Sequence, residues 1–202
     1  MKRKWSDFGM IVIFGGSFNP PTIAHYQIAN HILKQIDCDK FYFLPVGDRY
    51  PKKGLISSVH RVAMLKLVCE HLTNTFVSTI EVEAKKVLTT FETLTLVKSQ
   101  YPNEEIAFVI GADNLEDLPN WVQYEQLIQN YKLIVFRRDD IDVDEIIHRQ
   151  FKTFEHQFIL LDSFEKMNVS STEYRENLDR SDLVLNCVDQ YVQQHQLYGR
   201  GE

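Results

Sequence analysis

Long apolar stretches are missing from this sequence. No run approaches the roughly 18 residues that a membrane-spanning helix needs. The opening Met1, Lys2, Arg3 and Lys4 lead into Trp5, Ser6 and Asp7 instead of the hydrophobic stretch of an export signal. Cysteine is scarce: Cys38, Cys69 and Cys187 are the three, far apart and without a CxxC pair, which speaks against both a disulfide framework and a cysteine-built zinc site. A basic excess is missing too. With a net charge of -6 the chain has no general surplus of cations to displace counterions from a long nucleic-acid footprint. Repeats, low-complexity tracts and Pro/Gly-rich linkers are absent as well. What remains is a reduced, cytoplasmic protein with no membrane or nucleic-acid partner, and its 44% hydrophobic content suits one compact domain over residues 1–202. Its ligand is best sought among small phosphorylated molecules, which need only a local cluster of donors.

Apolar bursts recur at Ile11 to Phe14, Phe41 to Val46, Phe76 to Val82, Ile106 to Ile110, Leu133 to Phe136 and Phe158 to Leu161. Each reads as a buried strand. Between them lie residues at helical spacing, such as Ile28, Ile32, Leu33 and Ile36, then Val62, Leu65, Val68 and Leu72, then Leu94 with Val97. Strands alternating with helices predict an α/β fold, a Rossmann-like doubly wound parallel sheet over residues 1–165. After Leu161 the strands stop, and residues 166–202 read as a small C-terminal helical region. Its second helix carries Leu183, Val184, Val188, Tyr191, Val192 and Leu197. In such a fold ligands gather beyond the carboxyl ends of the strands, so the loops that follow the bursts are the places to search.

The first of these loops is Gly15-Gly16-Ser17-Phe18-Asn19-Pro20-Pro21-Thr22, running into a helix that begins near Ile23-Ala24-His25. The glycines let backbone approach a ligand, and the free N–H groups of the helix start favour an anion. Thr22 and His25, three residues apart, should share a face and converge on the same oxygen atoms. The second strand leads into Val46-Gly47-Asp48-Arg49-Tyr50-Pro51-Lys52-Lys53-Gly54, followed by His60 and Arg61 on a helix. A Lys-Lys pair is usually a solvated turn. Here its location at the edge of the sheet makes Lys53 the leading candidate for phosphate contact, with Arg61 able to tie the loop down. Thr89-Thr90-Phe91-Glu92-Thr93 precedes a helix that Thr90 is placed to cap. Gly111, Asp113 and Trp121 follow the fourth burst, where a carboxylate suits ribose hydroxyls and an indole suits a flat cationic ring. Ser170-Ser171-Thr172, with Arg175 one turn on, offers hydroxyl and guanidinium donors for a second anion contact.

These motifs, in this order, resemble those of the nicotinate/nicotinamide mononucleotide adenylyltransferases, a branch of the HxGH nucleotidyltransferases. Gly16-Ser17-Phe18-Asn19-Pro20 with Thr22 and His25 is similar to GxFxPxHxGH, although Thr22 and Ala24 stand where histidine and glycine are usual. Leu44 to Leu55 resembles PVGDxYxKKGL, Thr90 to Leu94 resembles TYxTL, Phe108 to Trp121 resembles FxxGADxLxxLxxW, and Val169 to Arg175 resembles ISSTxxR. The resemblance implies transfer of the adenylyl group of ATP to the 5′-phosphate of nicotinate or nicotinamide mononucleotide, with release of pyrophosphate. It implies His25, Thr22 and Lys53 at the reacting phosphates. ATP would be held by Gly16, Ser17, Phe18, His25, Gly111, Asp113, Ser170, Ser171, Thr172 and Arg175. The mononucleotide would meet Ser17, Phe18, Lys53, Thr90, Phe91, Thr93, Trp121 and Arg138. Magnesium would arrive on the triphosphate, with no dedicated protein ligands. The choice between acid and amide substrates is left open, as is the oligomeric state, a homo-oligomer included. Two alternatives stand beside this reading: another adenylyl- or cytidylyltransferase of the same superfamily, and an inactive nucleotide-binding regulator, to which Thr22 and Ala24 lend their support.

Overall fold

A computed structural model of the chain describes residues 9–137, 141–162 and 169–199. Within them, β1 (Met10–Gly16), β2 (Lys40–Pro45), β3 (Thr75–Val77), β4 (Glu105–Ile110), β5 (Lys132–Phe136) and β6 (Phe158–Leu161) form one sheet in the order β3-β2-β1-β4-β5-β6. Every pairing is parallel. The chain builds outward from β1 to β3, then crosses back to lay β4 on the other side of β1. That reversal opens a crevice above the carboxyl ends of β1 and β4, the place where a doubly wound sheet receives ligands.

Successive strand residues face opposite layers, as the two-residue period of a strand demands. Met10 and Val12 join one core while Ile11 and Ile13 join the other. Ala107 and Val109 likewise separate from Ile106, Phe108 and Ile110. On the first face lie α1 (Ile23–Gln35), α2 (Ser58–Cys69) and α9 (Asn186–Gln194), contributing Ile32, Leu33, Leu65, Val68, Val188 and Val192. On the second lie α4 (Thr90–Gln100), α5 (Ala112–Asp117), α6 (Tyr124–Asn130) and α7 (Val143–Gln150), contributing Leu94, Leu115, Leu127 and Ile146. The short α3 (Ile80–Glu83) follows β3, and α8 (Ser171–Glu176) precedes α9. Among the described residues no helix is long and apolar enough to cross a membrane.

The doubly wound sheet and the C-terminal helices match the sequence expectation; three local readings are corrected. β3 ends at Val77, and what reads as strand to Val82 is the single turn α3. Thr79 starts that turn, its backbone carbonyl accepting from Glu83 N–H at 2.9 Å and its hydroxyl donating to Glu83 Oε1 at 2.7 Å. The apolar letters Ile80 and Val82 resemble a strand because a one-turn helix shows no helical period. Second, α4 is capped by Thr89, whose Oγ1 accepts from Glu92 N–H while Glu92 reaches back to the Thr89 N–H. This reciprocal box moves the helix start one residue ahead of the expected Thr90 cap. Third, Leu183 ends a short 3-10 turn that Val184 caps, both ahead of α9, and Leu197 falls in another 3-10 turn beyond the end of α9 at Gln194.

Leu133 on β5 is fully buried, whereas Leu96 on α4 is 44% exposed. Leu133→Ala should therefore cost about 2–5 kcal/mol in urea unfolding and Leu96→Ala within about 0.5 kcal/mol. Equal midpoints for the two variants would contradict this assignment of the core.

Candidate active site

β1 delivers the chain to Gly15 and Gly16 at the crevice. Gly16 fits closely here, since a Cβ there would press on the Phe18 ring at 3.1 Å. Phe18 turns back into the protein with a left-handed φ of 45° and is 1% exposed. Its ring packs against Phe14, Phe43 and His25. The Asn19-Pro20 peptide is cis, and the chain then enters α1 at Thr22, its N-cap.

At this helix start the Thr22 backbone N–H donates to His25 Nδ1 at 2.9 Å, and the Thr22 hydroxyl lies 2.7 Å from the same nitrogen. A backbone N–H can only donate, so Nδ1 is the acceptor and the ring carries its proton on Nε2. Burial, and after it the field of Lys52, lowers the His25 pKa to about 4. His25 is thus a neutral imidazole with a single N–H to offer. Thr22 is itself 1% exposed, so its hydroxyl serves the histidine; the sequence expectation that both side chains reach one ligand oxygen is replaced by one side chain orienting the other.

Two buried polar groups tie the surrounding loops to this turn. The Asn19 side chain, 1% exposed, donates to Gly54 C=O at 2.8 Å and accepts from Ile56 N–H at 3.3 Å and from the Tyr198 hydroxyl at 3.1 Å. Its backbone carbonyl accepts from Arg175 Nη1 at 2.7 Å, and the neighbouring Pro20 carbonyl accepts from Ser171 at 2.8 Å. Arg61, with no exposed surface, is the second tie: its Nε donates to Ile56 C=O, Nη1 to Ser17 C=O and Nη2 to Asp48. Burial lowers the Arg61 pKa, and the Asp48 carboxylate beside it opposes that shift. Burial pushes Asp48 upward, but hydrogen bonds from Ser58 and Arg61 outweigh it and leave its pKa below the usual range.

The lysine loop so anchored places Lys52 Nζ 2.9 Å from Ser17 Oγ. Partial burial and the nearby Arg175 guanidinium lower the Lys52 pKa. Lys52 thus stands between the other two, felt by His25 on one side and itself feeling Arg175 on the other. From this basic end a cleft of about 660 Å³ runs onto the second face of the sheet, lined by Gly16, Ser17, Leu44, Lys52, Glu81, Thr90, Phe108, Asn114, Asp117 and Trp121. Its size is that of a small-molecule site.

The residues singled out from sequence fall into distinct places. Gly16, Ser17, Thr90 and Trp121 line the cleft. Ser171 and Arg175 bind the backbone of the glycine loop, and Thr172 accepts from Arg175 Nη2 at 3.0 Å. Ser170 caps α8 through the Glu173 N–H. Gly111 caps α5 at the end of β4, with the exposed Asp113 one turn in and its Oδ1 folded against Gly111. Others are not brought to the ligand space. Lys53 is exposed beside Lys52 and does not line the cleft. The Phe18 ring is sealed in the core, which leaves any ligand contact to its backbone. Phe91 packs toward Tyr131 at 6.2 Å, away from the cleft lining. Thr93 is fully buried and donates to Glu81 Oε1 at 2.9 Å, so it acts on the cleft through Glu81. Arg138 lies outside the described residues; its neighbour Arg137 forks onto Asp144.

Sequence reasoning passed over Lys52, Asn19, Glu81, Asn114 and Asp117. Asn19 and Lys52 stood inside quoted motifs, but nothing in the letters says which of two adjacent lysines turns inward or which motif residue is a buried hub. Glu81 carried no signal, sitting in a stretch that reads as strand.

Comparisons with known proteins give the family and the fold. The cytidylyltransferase-like family model matches residues 13–177. The probable nicotinate-nucleotide adenylyltransferase of Acholeplasma laidlawii is 32% identical over 195 residues, covering 94% of this chain and 97% of the relative. The nicotinate-nucleotide adenylyltransferase of Bacillus subtilis is 32% identical over 194 residues, covering 93% and 97%. Among solved structures, the nicotinic acid mononucleotide adenylyltransferase of Plasmodium falciparum, in complex with NaAD, superposes with a TM-score of 0.80 at 24% identity, over 94% of this chain and 97% of that one, a likeness of fold. With a family model spanning most of its length and relatives above the 30% level across nearly the whole of both chains, the protein belongs to the cytidylyltransferase-like family, among the nicotinate-nucleotide adenylyltransferases.

Proposed function

We propose that this chain joins ATP to nicotinate mononucleotide, with its basic end holding the triphosphate and the 660 Å³ cleft holding the mononucleotide. What supports the reading is that three side chains bond to one loop at the point where the strand order reverses: His25 to Thr22, Lys52 to Ser17 and Arg175 to the Asn19 carbonyl. The 5′-phosphate oxygen forms a new bond to the α-phosphorus, and the bond to the bridging oxygen breaks, its electron pair leaving on pyrophosphate. No protein nucleophile takes part. Chemistry of this kind is accelerated by positioning and by donors aimed at developing negative charge.

His25 supplies a neutral Nε2–H, which carries no proton that phosphate could strip and no charge that Lys52 would repel. Lys52, in place of Lys53, supplies the cation nearest Ser17, and Arg175 supplies a guanidinium to the outer phosphates. Thr22 fixes the tautomer of His25. Donors of this type fit a triphosphate that brings its own magnesium, held by phosphate oxygens and water; the metal would offset charge on the leaving pyrophosphate. Trp121 and Thr90 face the pyridine ring.

His25→Ala should lower kcat at least about a hundredfold, or about 2.7 kcal/mol of transition-state stabilisation, while leaving the unfolding midpoint little changed. Near-normal turnover in a pyrophosphate-release assay would remove His25 from the reaction, and no turnover by the unaltered protein with any pyridine mononucleotide would favour a binding role. Lys52→Ala should lower kcat/KM by about ten- to a hundredfold and Lys53→Ala by less than about threefold; the reverse ranking would restore Lys53 to the site.

Because the pKa of His25 is lowered from 6.5 to about 4, its working neutral form persists as pH falls. The contribution of this group to kcat should be flat from about pH 8 to about pH 5 and decline only as pH approaches 4. A kcat inflection near 6.5 that vanishes in His25→Asn would show the opposite.

A further inference from the structure

The charged side chains lining the cleft differ in sign: Lys52 stands beside Ser17, whereas Glu81 and Asp117 stand with Thr90, Asn114 and Trp121. Glu81 is the half-buried one of these carboxylates, Asp117 the exposed one. It sits on the single turn α3, held by the Thr79–Glu83 contact and by close packing of its backbone carbonyl under Gly47, where any Cβ would come within 2.3 Å of that oxygen. One of its carboxylate oxygens, Oε1, accepts from the buried Thr93 hydroxyl at 2.9 Å. The packing under Gly47 and the Thr93 hydrogen bond hold the group at the cleft wall. A carboxyl group placed in a half-apolar wall beside Leu44, Leu88 and Phe108 is costly to keep ionised unless a cation comes to meet it.

Burial does raise the pKa of Glu81, with the Thr93 hydroxyl pulling it back. A cationic ligand would draw it down further and regain the desolvation cost. The aromatic partner for such a cation is at hand, since Trp121 lines the same space. A pyridine mononucleotide is a molecule of this polarity: its phosphate is anionic, and its ring nitrogen, bonded to ribose, bears a permanent positive charge.

We propose that Glu81 is a specificity-determining residue that reads the positive charge of the pyridinium ring, with Thr93 as the positioning residue that fixes its carboxylate. This rests on the functional reading given above and adds to it a selection by ring charge: mononucleotides with a neutral ring bind less well because Glu81 is then left as a half-buried carboxylate without a counter-charge.

The test compares nicotinate mononucleotide with its 1,4-dihydro form, which differs from it by a hydride and so has an uncharged ring, at saturating ATP, in the unaltered protein and in Glu81→Gln. Glutamine keeps the shape and the oxygen that accepts from Thr93 while removing the charge. The unaltered protein should favour the charged ring by about tenfold or more in kcat/KM, chiefly through KM. Glu81→Gln should lose that preference by weakening the charged substrate about tenfold and leaving the reduced one within about twofold. Equal losses on both substrates, or no change on either, would overturn the role of Glu81 while leaving the functional reading intact. Absence of turnover by the unaltered protein would bring down the functional reading and this inference together. Thr93→Val, which removes only the hydroxyl, should move the ratio in the same direction as Glu81→Gln; an unchanged ratio would free Thr93 from its positioning part.

Discussion

Asn19 is the constraint on which the phosphate end of the site depends. One carboxamide, sealed from solvent, receives the lysine loop at Gly54 and Ile56 and the C-terminal segment at Tyr198, while its own backbone carbonyl receives Arg175. Each such bond contributes only about 0.5–1.5 kcal/mol net, but a buried group deprived of its partner costs about 1–3 kcal/mol. The arrangement is therefore all or none. Loops carrying Ser17, Lys52 and Arg175 occupy one relative placement because every alternative leaves several polar atoms buried and unpaired. Burial also raises the Tyr198 pKa, which keeps its hydroxyl a donor to Asn19 and makes the last described turn of the chain part of the site's foundation.

Arg61 extends the same logic to the other side of the glycine loop. A guanidinium with no exposed surface is tolerable only when its N–H groups are occupied, and here they meet Ile56, Ser17 and Asp48. Its charge is spent on scaffolding. Lys52 and Arg175 are the less buried cations beside this loop, and partial burial, with the Arg175 field after it, lowers the Lys52 pKa. Beside them a histidine is best neutral, and burial, a backbone donor at Nδ1 and the lysine's field all act in that direction.

The two faces of the sheet divide the work. α1, α2, α8 and α9 lie on the side that holds His25 and Arg175, whereas α4 and α5 wall the cleft that holds Trp121, Thr90 and Asp117. The loop after β1 touches both, because β1 is the strand from which the order runs in opposite directions.

Much of this was legible in the chain itself. Alternating apolar bursts and helical spacings such as Ile28, Ile32 and Leu33 determine a doubly wound sheet, since a strand buried on both faces and a helix with one apolar stripe have few other ways to hide their surface. The order of the motifs placed the glycine loop, the lysine loop and the Ser-Ser-Thr turn at strand ends. What tertiary structure decided was direction. Lys52 and Lys53 are equivalent as letters, and their loop has no period from which to read which one turns toward Ser17. Phe18 reads as a ligand contact until the left-handed turn folds it into the core. Phe91 and Thr93 sit in a motif-like string, yet the capped helix turns Phe91 toward Tyr131 and Thr93 toward Glu81. Glu81 itself was invisible, because a carboxylate becomes a site only when distant segments, here β2's loop and α4, close around it. Local pattern fixes which elements form, through backbone geometry and burial; which side chains meet is settled by long-range packing, where contacts join residues with no relation in sequence.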